Sequence, residues 1–326
     1  MKAIIMNQPG AAEVLEWGDA PDPKPGPEDV RIRVAATAVN RADLNQRMGF
    51  YPPPPGAPDI LGLECSGEIV EKGSAVPGDF EVGDRVMALL AGGGYAEQVV
   101  VHHGSVMPVP AGLDLVQAAG LPEVYLTVFL NVFQLARFPE GGTLLVHGGG
   151  SGIGTAAMQL VREAGGRCFV TVGSDEKCAR CVELGAAAAI NYKTEAFGER
   201  IHELTGGAGV DVVLDPIGGS YLEPNVASLA VGGRLVIIGI TGGGQGNLDI
   251  VSLLLRRLEI MGSTLRARPV EEKAAIVRGF RERFGAAVEA GRLAPVVDQI
   301  LPMENAAGAH RVLEASTHVG KVLLRV

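Results

Sequence analysis

The sequence of 326 residues lacks features that would place it in several common classes of protein. It has no run of 18 consecutive apolar residues, which argues against a membrane-spanning helix. Its formal net charge of −9 argues against nucleic acid or an anionic membrane as the main partner, although a local basic pocket for a phosphorylated cofactor stays compatible. The segment Met1–Asn7 begins directly as a strand, so we expect no signal peptide and a cytoplasmic protein.

Cysteine is also scarce, with four residues in the chain. Structural disulfides are not expected in the cytoplasm. Cys178 and Cys181 are spaced C-x-x-C within a predicted helix, and no second pair completes a tetrahedral zinc site. We interpret them as ordinary helix cysteines, with a redox pair as the alternative. His102 and His103 are interpreted as a surface pair at the end of a strand rather than as metal ligands.

Glycine and proline punctuate the chain and indicate an α/β protein with two domains. The 46 glycines favour many tight turns, and the chain is long for a single hydrophobic core. Residues 1–120 are rich in strands separated by proline-rich loops, which predicts a compact antiparallel barrel. The strands predicted there are Lys2–Met6, Val30–Ala38, Gly67–Lys72, Arg85–Leu89 and Gly94–Val101.

From about residue 122 helices and strands alternate, which predicts a doubly wound parallel sheet. A first helix is expected at Glu123–Ala136. The six predicted strands are Leu144–Val146, Cys168–Val172, Ala187–Tyr192, Asp211–Asp215, Leu235–Ile240 and Leu258–Leu265. The predicted helices between them are Thr155–Glu163, Asp175–Leu184, Ala196–Thr205 and Tyr221–Leu229.

The final segment returns to mixed character, and we expect it to rejoin the first domain. Its predicted elements are helix Val270–Ala290, strand Val296–Ile300, helix Glu304–Ala315 and strand Val319–Val326. The predicted domains are therefore residues 1–122, a nucleotide-binding domain at 123–265, and a return to the first domain at 266–326.

The strongest functional signal is the glycine-dense turn Gly148–Gly154 between a predicted strand and a predicted helix. Glycine lets the backbone approach a pyrophosphate, and the amides of a helix N-terminus favour an anion. The spacing Gly149-x-Ser151-x-x-Gly154 matches G-x-G-x-x-G with serine in the middle place, where its hydroxyl can donate to phosphate. We predict a dinucleotide site and hence an oxidoreductase; a glycine-rich turn without a ligand is the alternative. The predicted contacts are Gly150, Ser151, Gly152, Ile153 and Gly154.

Five short motifs are spread over the whole chain: Val39–Asp43, Leu61–Gly67, Val82–Val86, Ala119–Glu123, and Ser151–Gly154 followed by Gln159. In this order they resemble the zinc-independent quinone oxidoreductase branch of the medium-chain dehydrogenase/reductase superfamily. Tyr51–Gly56 and Asp215–Tyr221 resemble a subgroup of small quinone reductases that a tumour suppressor induces in some cells. The resemblance implies a Rossmann domain inserted in a discontinuous GroES-like catalytic domain.

The same resemblance shows what this chain lacks. Zinc-dependent alcohol dehydrogenases of the superfamily carry a metal-binding cysteine where this chain has Asn40–Asp43. They carry histidine in Gly-His-Glu, where this chain has Gly62–Glu64 with leucine in the middle. Leucine and asparagine cannot replace imidazole and thiolate on zinc, so no metal is expected.

The absence of zinc ligands narrows the range of acceptors that the protein is expected to reduce. Reduction of a simple ketone forms an alkoxide, which needs a Lewis acid or a well-placed proton donor. A quinone instead yields a phenolate, and phenols titrate near pH ~10, so its charge is easier to develop. A conjugated enone spreads its charge through an enolate. We therefore predict hydride transfer from nicotinamide C4 to a quinone or an enone, with proximity supplying most of the rate.

The end of the second strand of the nucleotide-binding domain indicates NADPH. An enzyme selective for NADH usually has Asp or Glu there, whereas this chain has Gly173 and Ser174. Glycine leaves room for a 2′-phosphate, Ser174 can donate to it, and Lys177 supplies charge. Tyr192 resembles the family's third contact with that group.

The resemblance also implies residues nearer to the reaction. Asn40 and Tyr51 reach toward the nicotinamide and the acceptor pocket, where an amide can bind a carbonyl and a phenol can orient the quinone or donate a proton. The alternative is that Asn40 caps a turn and Tyr51 shields a proline loop. Further cofactor contacts are predicted at Thr127, near the start of a helix, and at or just beyond strand ends at Ile217, Gly239 and Arg266.

Two other functions share these motifs. One is an enoyl reductase acting on open-chain α,β-unsaturated carbonyls, as in polyketide assembly; the other is an NADPH-binding protein with little catalysis. The apolar strand Leu258–Leu265 is expected at an exposed sheet edge, where pairing with a second copy would cover it. Relatives form dimers through this strand, and some form tetramers, so a homodimer is predicted.

Overall fold

The computed structural model describes residues 1–326, which form two compact units. The first unit consists of Met1–Leu126 and Leu265–Val326, and the second of Thr127–Thr264. The predicted boundaries fall after residues 122 and 265. No helix in the structure is both long enough and apolar enough to cross a membrane.

Strands and helices run through the chain as follows. The strands are β1 (Lys2–Ile5), β2 (Glu16–Asp19), β3 (Asp29–Ala38), β4 (Glu64–Lys72), β5 (Arg85–Leu89), β6 (Gln98–His102), β7 (Val106–Pro108), β8 (Thr143–His147), β9 (Arg167–Val172), β10 (Ala188–Asn191), β11 (Val210–Asp215), β12 (Leu229–Ile237), β13 (Glu259–Gly262), β14 (Val297–Pro302) and β15 (Lys321–Arg325). The helices are α1 (Arg41–Arg47), α2 (Leu115–Ala118), α3 (Pro122–Val128), α4 (Gly152–Glu163), α5 (Asp175–Glu183), α6 (Phe197–Leu204), α7 (Leu222–Ser228), α8 (Ile250–Leu255), α9 (Val270–Glu289) and α10 (Ala306–Ala315).

A mostly antiparallel sheet organises the first unit. Its strand order is β14-β15-β3-β4-β5-β7, with β6 also paired to β3, and β1 pairs separately with β2. Alternate residues of β3 (Val30, Ile32 and Val34) enter one apolar core with Ile69 of β4. The last strand, β15, pairs antiparallel with β3, so the end of the chain completes the sheet that the N-terminal segment begins.

The second unit is a parallel sheet in the order β10-β9-β8-β11-β12-β13. Every residue of β8 is buried, as expected of a central strand covered on both faces. The chain leaves β8 in one direction toward β10 and returns to the other side of β8 with β11. The carboxyl ends of strands at such a reversal form a binding crevice, and the turn after β8 lies there.

Several predicted elements differ from the structure. Helices α1, α2 and α8 and the short strands β2 and β7 were not predicted. Strand β12 begins at Leu229 rather than Leu235, and its pairing with β11 has a register shift between the Val210–Leu229 and Val212–Arg234 pairs. The predicted helix Glu123–Ala136 is α3 followed by a π-helical stretch at Phe129–Leu135, a distortion that is frequent at functional sites.

Candidate active site

The turn after β8 has the geometry of a dinucleotide-binding loop. Gly148 has a φ of 75°, and the N–H groups of Gly148 and Gly149 donate to the Thr171 carbonyl at 3.0 and 2.9 Å. A Cβ on Gly154 would lie 2.4 Å from the Gly149 carbonyl oxygen, and one on Gly149 would lie 2.6 Å from Cβ of Val170. Glycine is therefore required at both positions, which lets α4 begin against the turn.

Ser151 is the N-cap of α4. Its Oγ accepts the N–H of Gly154 at 3.1 Å, which leaves its hydroxyl hydrogen to donate. The first helical hydrogen bond runs from Thr155 N to the Ser151 carbonyl, at 2.9 Å. The amides of Gly152 and Ile153 precede that bond and have no helical acceptor, so with the helix dipole they favour an anion. The structure thus fits a pyrophosphate at the predicted residues.

Two other predicted cofactor contacts, Gly150 and Thr127, are buried in the second unit. Thr127 lies in the last turn of α3, and its carbonyl accepts Nδ2 of Asn131 at 2.7 Å. This bond anchors the start of the π-helical stretch.

The end of β9 brings together the residues predicted to hold a 2′-phosphate. A Cβ on Gly173 would lie 2.7 Å from the Tyr192 hydroxyl oxygen and 3.5 Å from Cε of Lys193. Ser174 follows directly, and Lys177 lies in the first turn of α5. Lys193 was not predicted, because it follows the strand β10 and its nearness to Gly173 depends on strand pairing.

The Ser174 hydroxyl has partners within the protein. As the N-cap of α5 it accepts the N–H of Lys177 at 3.3 Å. It also hydrogen-bonds the Glu176 carboxylate, and together with a bond to the Glu176 backbone this lowers the pKa of Glu176. A phosphate at this place would therefore compete with an exposed carboxylate for the serine hydroxyl.

At the ends of β11 and β12, Ile217 and Gly239 are close neighbours. A Cβ on Gly239 would lie 2.6 Å from the Pro216 carbonyl oxygen. The Asp215 carboxylate accepts the N–H of Ile217 at 2.6 Å and Nδ2 of Asn225 at 2.9 Å. The buried Asp215 carboxylate thus fixes the turn that carries Ile217.

In the first unit, Asn40 belongs to a buried ion-pair network. Nζ of Lys321 lies 2.7 Å from Oε1 of Glu64 and 2.7 Å from Oδ1 of Asn40. Nδ2 of Asn40 donates to Oε1 of Glu64 at 2.9 Å and to the Ala38 carbonyl at 3.3 Å. The side chains of Lys321 and Glu64 are 3% and 0% exposed. The amide donors and the acceptor of Asn40 are all engaged within the protein. Its contact with the nicotinamide or the acceptor stays a prediction.

Asp43 fixes the start of α1 beside this network. Its carboxylate accepts the N–H of Asn40 at 2.7 Å and that of Gly62 at 3.2 Å. Burial raises the pKa of Asp43 to about 6, against these two hydrogen bonds. The Tyr95 hydroxyl lies 3.4 Å from Asp43 and 3.1 Å from Nε2 of His310, whose pKa burial lowers to about 3.

Tyr51 is held by Arg266. The guanidinium donates to the carbonyls of Ala91 at 2.8 Å and Tyr51 at 3.3 Å and to Oε1 of Gln46 at 2.7 Å, and it stacks 5.3 Å from the Tyr51 ring centroid. The three groups that accept hydrogen bonds from the Arg266 guanidinium all lie in the first unit. The cofactor contact of Arg266 stays a prediction. Burial is the main cause that raises the pKa of the Tyr51 phenol, and the Glu123 carboxyl raises it further.

Glu123 is the most perturbed carboxyl in this cluster. It lies in the first turn of α3, and its N–H donates to Oε2 of Glu64 at 2.8 Å. Burial, followed by the nearby Glu64 carboxylate, raises its pKa to about 8. A helix N-terminus favours the carboxylate by only ~0.3–1 kcal/mol, which is less than one pKa unit. Glu123 is therefore mostly protonated at neutral pH.

Sequence reasoning missed Lys321, Glu123 and Lys193 as functional candidates. A charged residue inside the apolar strand Lys321–Arg325 was the available signal for Lys321. Glu123 lies within a motif already noted for its resemblance, but nothing local indicates its burial. The partners of all three come from distant parts of the chain.

Comparison with known proteins identifies the family. The family model for the alcohol dehydrogenase GroES-like domain matches residues 26–111. The family model for zinc-binding dehydrogenase matches residues 152–278. A quinone oxidoreductase of Rattus norvegicus is 31% identical over 99% of this chain and 97% of its own length. The chain belongs to the quinone oxidoreductase branch of the medium-chain dehydrogenase/reductase superfamily. It is thus an oxidoreductase, as predicted.

Other relatives confirm the fold and widen the chemistry. A 2-haloacrylate reductase of Burkholderia is 31% identical over 99% of this chain and 98% of its own. The Escherichia coli quinone oxidoreductase complexed with NADPH matches with a TM-score of 0.88 at 25% identity, over all of both chains. An NAD-dependent alcohol dehydrogenase matches with a TM-score of 0.87 at 35% identity, also over all of both chains. The tumour-suppressor-inducible subgroup stays a prediction.

The residues of this oxidoreductase do not fit a catalytic zinc ion. Asn40 and Leu63 stand where zinc-dependent members have cysteine and histidine, and Leu63 is buried and apolar. The remaining oxygen donor, Glu64, already binds the Lys321 ammonium. No group of three or more His, Cys, Asp or Glu side chains is arranged to hold a metal ion. The cation at this place is the ammonium of Lys321.

We expect Lys321→Met to destabilise the first unit by ~3–5 kcal/mol, because it leaves the buried Glu64 carboxylate without its counter-ion. The measurement is urea unfolding followed by fluorescence of Trp17, the single tryptophan, which lies in the first unit.

The control is Arg311→Ala, which breaks an ion pair of the first unit whose side chains are 52% and 69% exposed and should change stability by ~0–1 kcal/mol. Equal effects of the two substitutions would contradict the importance of the buried pair.

Proposed function

We propose that this protein is an NADPH-dependent reductase that transfers hydride to a quinone without a metal ion. The observation that carries the proposal is the Lys321 ammonium bound to Glu64 and Asn40, 2.7 Å from each. Because the Lys321 ammonium occupies the place of the catalytic zinc ion, the acceptor itself has to stabilise the negative charge that hydride transfer adds to it. A quinone does so, because the product oxyanion is a phenolate with a pKa near ~10.

Residues of the second unit are proposed to bind the cofactor. The amides of Gly152 and Ile153 at the start of α4 bind the pyrophosphate, with the Ser151 hydroxyl as a further donor. Gly150, Gly154, Ile217, Gly239 and Thr127 complete the predicted contacts. When bound, NADPH supplies the hydride from nicotinamide C4.

The preference for NADPH is proposed to depend on the end of β9. Tyr192 and Lys193 lie beside Gly173, Ser174 follows it, and Lys177 lies in the first turn of α5. The strand β9 is thus followed by glycine and serine instead of the Asp or Glu typical of NADH enzymes. The structure of the Escherichia coli neighbour is a complex with NADPH, which supports this choice. The NAD-dependent neighbour makes the preference worth measuring directly.

Residues of the first unit are proposed to bind the acceptor. The Tyr51 phenol orients the acceptor carbonyl, and Arg266 fixes the loop that carries Tyr51. Asn40, the N-cap of α1, links that helix to the Glu64–Lys321 pair through its hydrogen bonds to both. The phenol stays protonated at neutral pH, since its pKa is raised, and so it can donate a hydrogen bond to a developing oxyanion.

A conjugated alkenal or acrylate is the second candidate acceptor. The relationship to a 2-haloacrylate reductase favours it, and an enolate also disperses charge without a metal. The two candidates differ only in the acceptor, so a substrate panel separates them.

We expect steady-state oxidation of NADPH to be faster with 1,4-benzoquinone and a 1,2-quinone than with an open-chain alkenal. The measurement is loss of NADPH absorbance, corrected for the uncatalysed reaction. Faster turnover of the alkenal would favour the double-bond reductase instead, and no turnover with either class would contradict both.

Two substitutions are expected to have opposite kinetic signatures. Tyr51→Phe removes one hydrogen bond to a developing charge, worth ~1.5–3 kcal/mol, so kcat should fall ~10–100-fold with little change in the KM for NADPH. Lys193→Ala should raise the KM for NADPH several-fold, leave kcat nearly unchanged and have no effect with NADH.

Steady-state kinetics with both cofactors measure the effects of the two substitutions, with the exposed Lys24→Ala as the control. Equal kcat/KM of the unmodified enzyme for NADPH and NADH would contradict the cofactor assignment.

A homodimer is proposed through the edge strand β13 and the adjoining helix α8. β13 has only one partner, β12, and α8 exposes 70% of Leu254 and 68% of Leu255. A second copy of the chain would cover both the free edge and this apolar helix.

We expect the double substitution Leu254→Glu with Leu255→Glu to convert the dimer to a monomer, because two carboxylates would be buried at the contact. Sedimentation velocity measures this. Val82→Glu, at an exposed apolar residue of the first unit, is the control and should leave the dimer intact. A monomeric unmodified protein would contradict the proposal.

A further inference from the structure

His147, the last residue of β8, is a buried histidine outside the proposed contacts with the cofactor and the acceptor. Its Nδ1 lies 3.0 Å from the Thr171 hydroxyl oxygen, and its Nε2 lies 2.6 Å from Oδ1 of Asn225. The rings of Phe197 and Tyr221 pack against the edge of the imidazole, each with its centroid 4.8 Å away. Both ring nitrogens therefore have a partner within the protein, and the aromatic rings help to bury the side chain completely.

The hydrogen bonds around His147 all have one direction, which the Asp215 carboxylate sets. Nδ2 of Asn225 donates to Oδ2 of Asp215 at 2.9 Å, so Oδ1 of Asn225 faces His147. A carbonyl oxygen only accepts, and Nε2 of the imidazole therefore carries the proton. In the neutral ring Nδ1 has no hydrogen and accepts the Thr171 hydroxyl. These four side chains are called the His147 network below.

The two ends of the His147 network lie at the two turns that are proposed to contact the cofactor. At one end the Asp215 carboxylate accepts the N–H of Ile217 at 2.6 Å. At the other end the carbonyl of Thr171 accepts the N–H groups of Gly148 and Gly149 at 3.0 and 2.9 Å. The network thus joins the turn after β8 to the turn after β11.

The backbone pairing of β8 with β11 stops just before these turns. Its last pair is Val146 with Leu214, the residues that precede His147 and Asp215. At a reversal of strand order the loops that follow the two adjacent strands lead apart and leave a crevice. The His147 network therefore continues the connection between the two strands where their pairing ends. Its four side chains belong to residues that are at most 1% exposed, so water does not compete for these hydrogen bonds.

We propose that His147 is a positioning residue for the cofactor: it fixes the turn that binds the pyrophosphate relative to the turn that carries Ile217. This inference rests on the part of the proposed function that assigns both turns to NADPH. A cofactor that contacts two turns binds more tightly when both are already in place, because binding then orders neither of them. His147 itself touches neither the cofactor nor the acceptor in this role.

The first test compares His147→Gln with His147→Asn by fluorescence titration of bound NADPH, without an acceptor. The glutamine amide lies about as far along the side chain as Nε2 of histidine, so it can still donate to Asn225. The asparagine amide reaches only as far as Nδ1, so that hydrogen bond is lost. The Kd of NADPH should rise ~10-fold in His147→Asn and by less than ~2-fold in His147→Gln. His202→Asn, at an exposed histidine of α6, should bind NADPH as the unmodified protein does.

The same titration separates positioning from a loss of folded protein. A partly unfolded variant has fewer binding sites per chain, but its folded molecules keep their Kd. We expect His147→Asn to keep full stoichiometry with a higher Kd, and in turnover to raise the KM for NADPH but not that for the acceptor. Thr171→Val removes only the hydroxyl that donates to Nδ1 and should raise the Kd in the same direction. An unchanged Kd in both variants, at full or reduced stoichiometry, would overturn the proposal.

A second measurement needs no cofactor. In protein labelled with ¹⁵N-histidine, the ring signals of His147 are assigned by their absence in His147→Gln. They should show a neutral imidazole with its proton on Nε2, and a proton on Nδ1 at neutral pH would overturn the proposal. Unmodified protein that does not bind NADPH would overturn the proposed function and the positioning role together. Protein that binds NADPH but reduces no acceptor would overturn the proposed function alone, because the comparison of Kd values would still hold.

Discussion

The buried ion pair between Lys321 and Glu64 is the interaction on which the first-unit site depends. Lys321 belongs to the last strand, Glu64 to the fourth and Asn40 to the start of α1, so one ammonium joins segments from both ends of the chain. Its partner carboxylate also accepts the N–H of Glu123. Removal of either charge would leave the other buried and unpaired, which is strongly destabilising.

The same pair, together with Leu63, leaves no set of zinc ligands in this member of a superfamily that contains zinc enzymes. The Asn40 amide is hydrogen-bonded to Glu64 and Lys321, and the Leu63 side chain has no atom that could bind a metal ion. What remains near the acceptor residues is a phenol fixed by Arg266 and a carboxyl whose pKa is raised. The proposed function assigns the phenol to an acceptor that delocalises charge.

Much of this could be predicted from the sequence, and the rest has physical reasons for escaping it. The turn at Gly148–Gly154 and the six-stranded sheet follow from local glycine spacing and apolar runs. Helix α8 was missed because its apolar residues are exposed, so it has no amphipathic pattern to detect. Lys321, Lys193 and the hydrogen-bond partners of Arg266 within the protein were missed because each involves residues far apart in the sequence, which only strand pairing and packing bring close.

The central claim is that the cation of this site is Lys321 and that quinone reduction needs no metal ion. The most direct test measures NADPH-dependent turnover of 1,4-benzoquinone by protein stripped with a chelator, with bound metal quantified by mass spectrometry in the same sample. The account predicts full turnover at far less than one metal ion per chain. Loss of turnover on stripping, with recovery when zinc is restored, would contradict it.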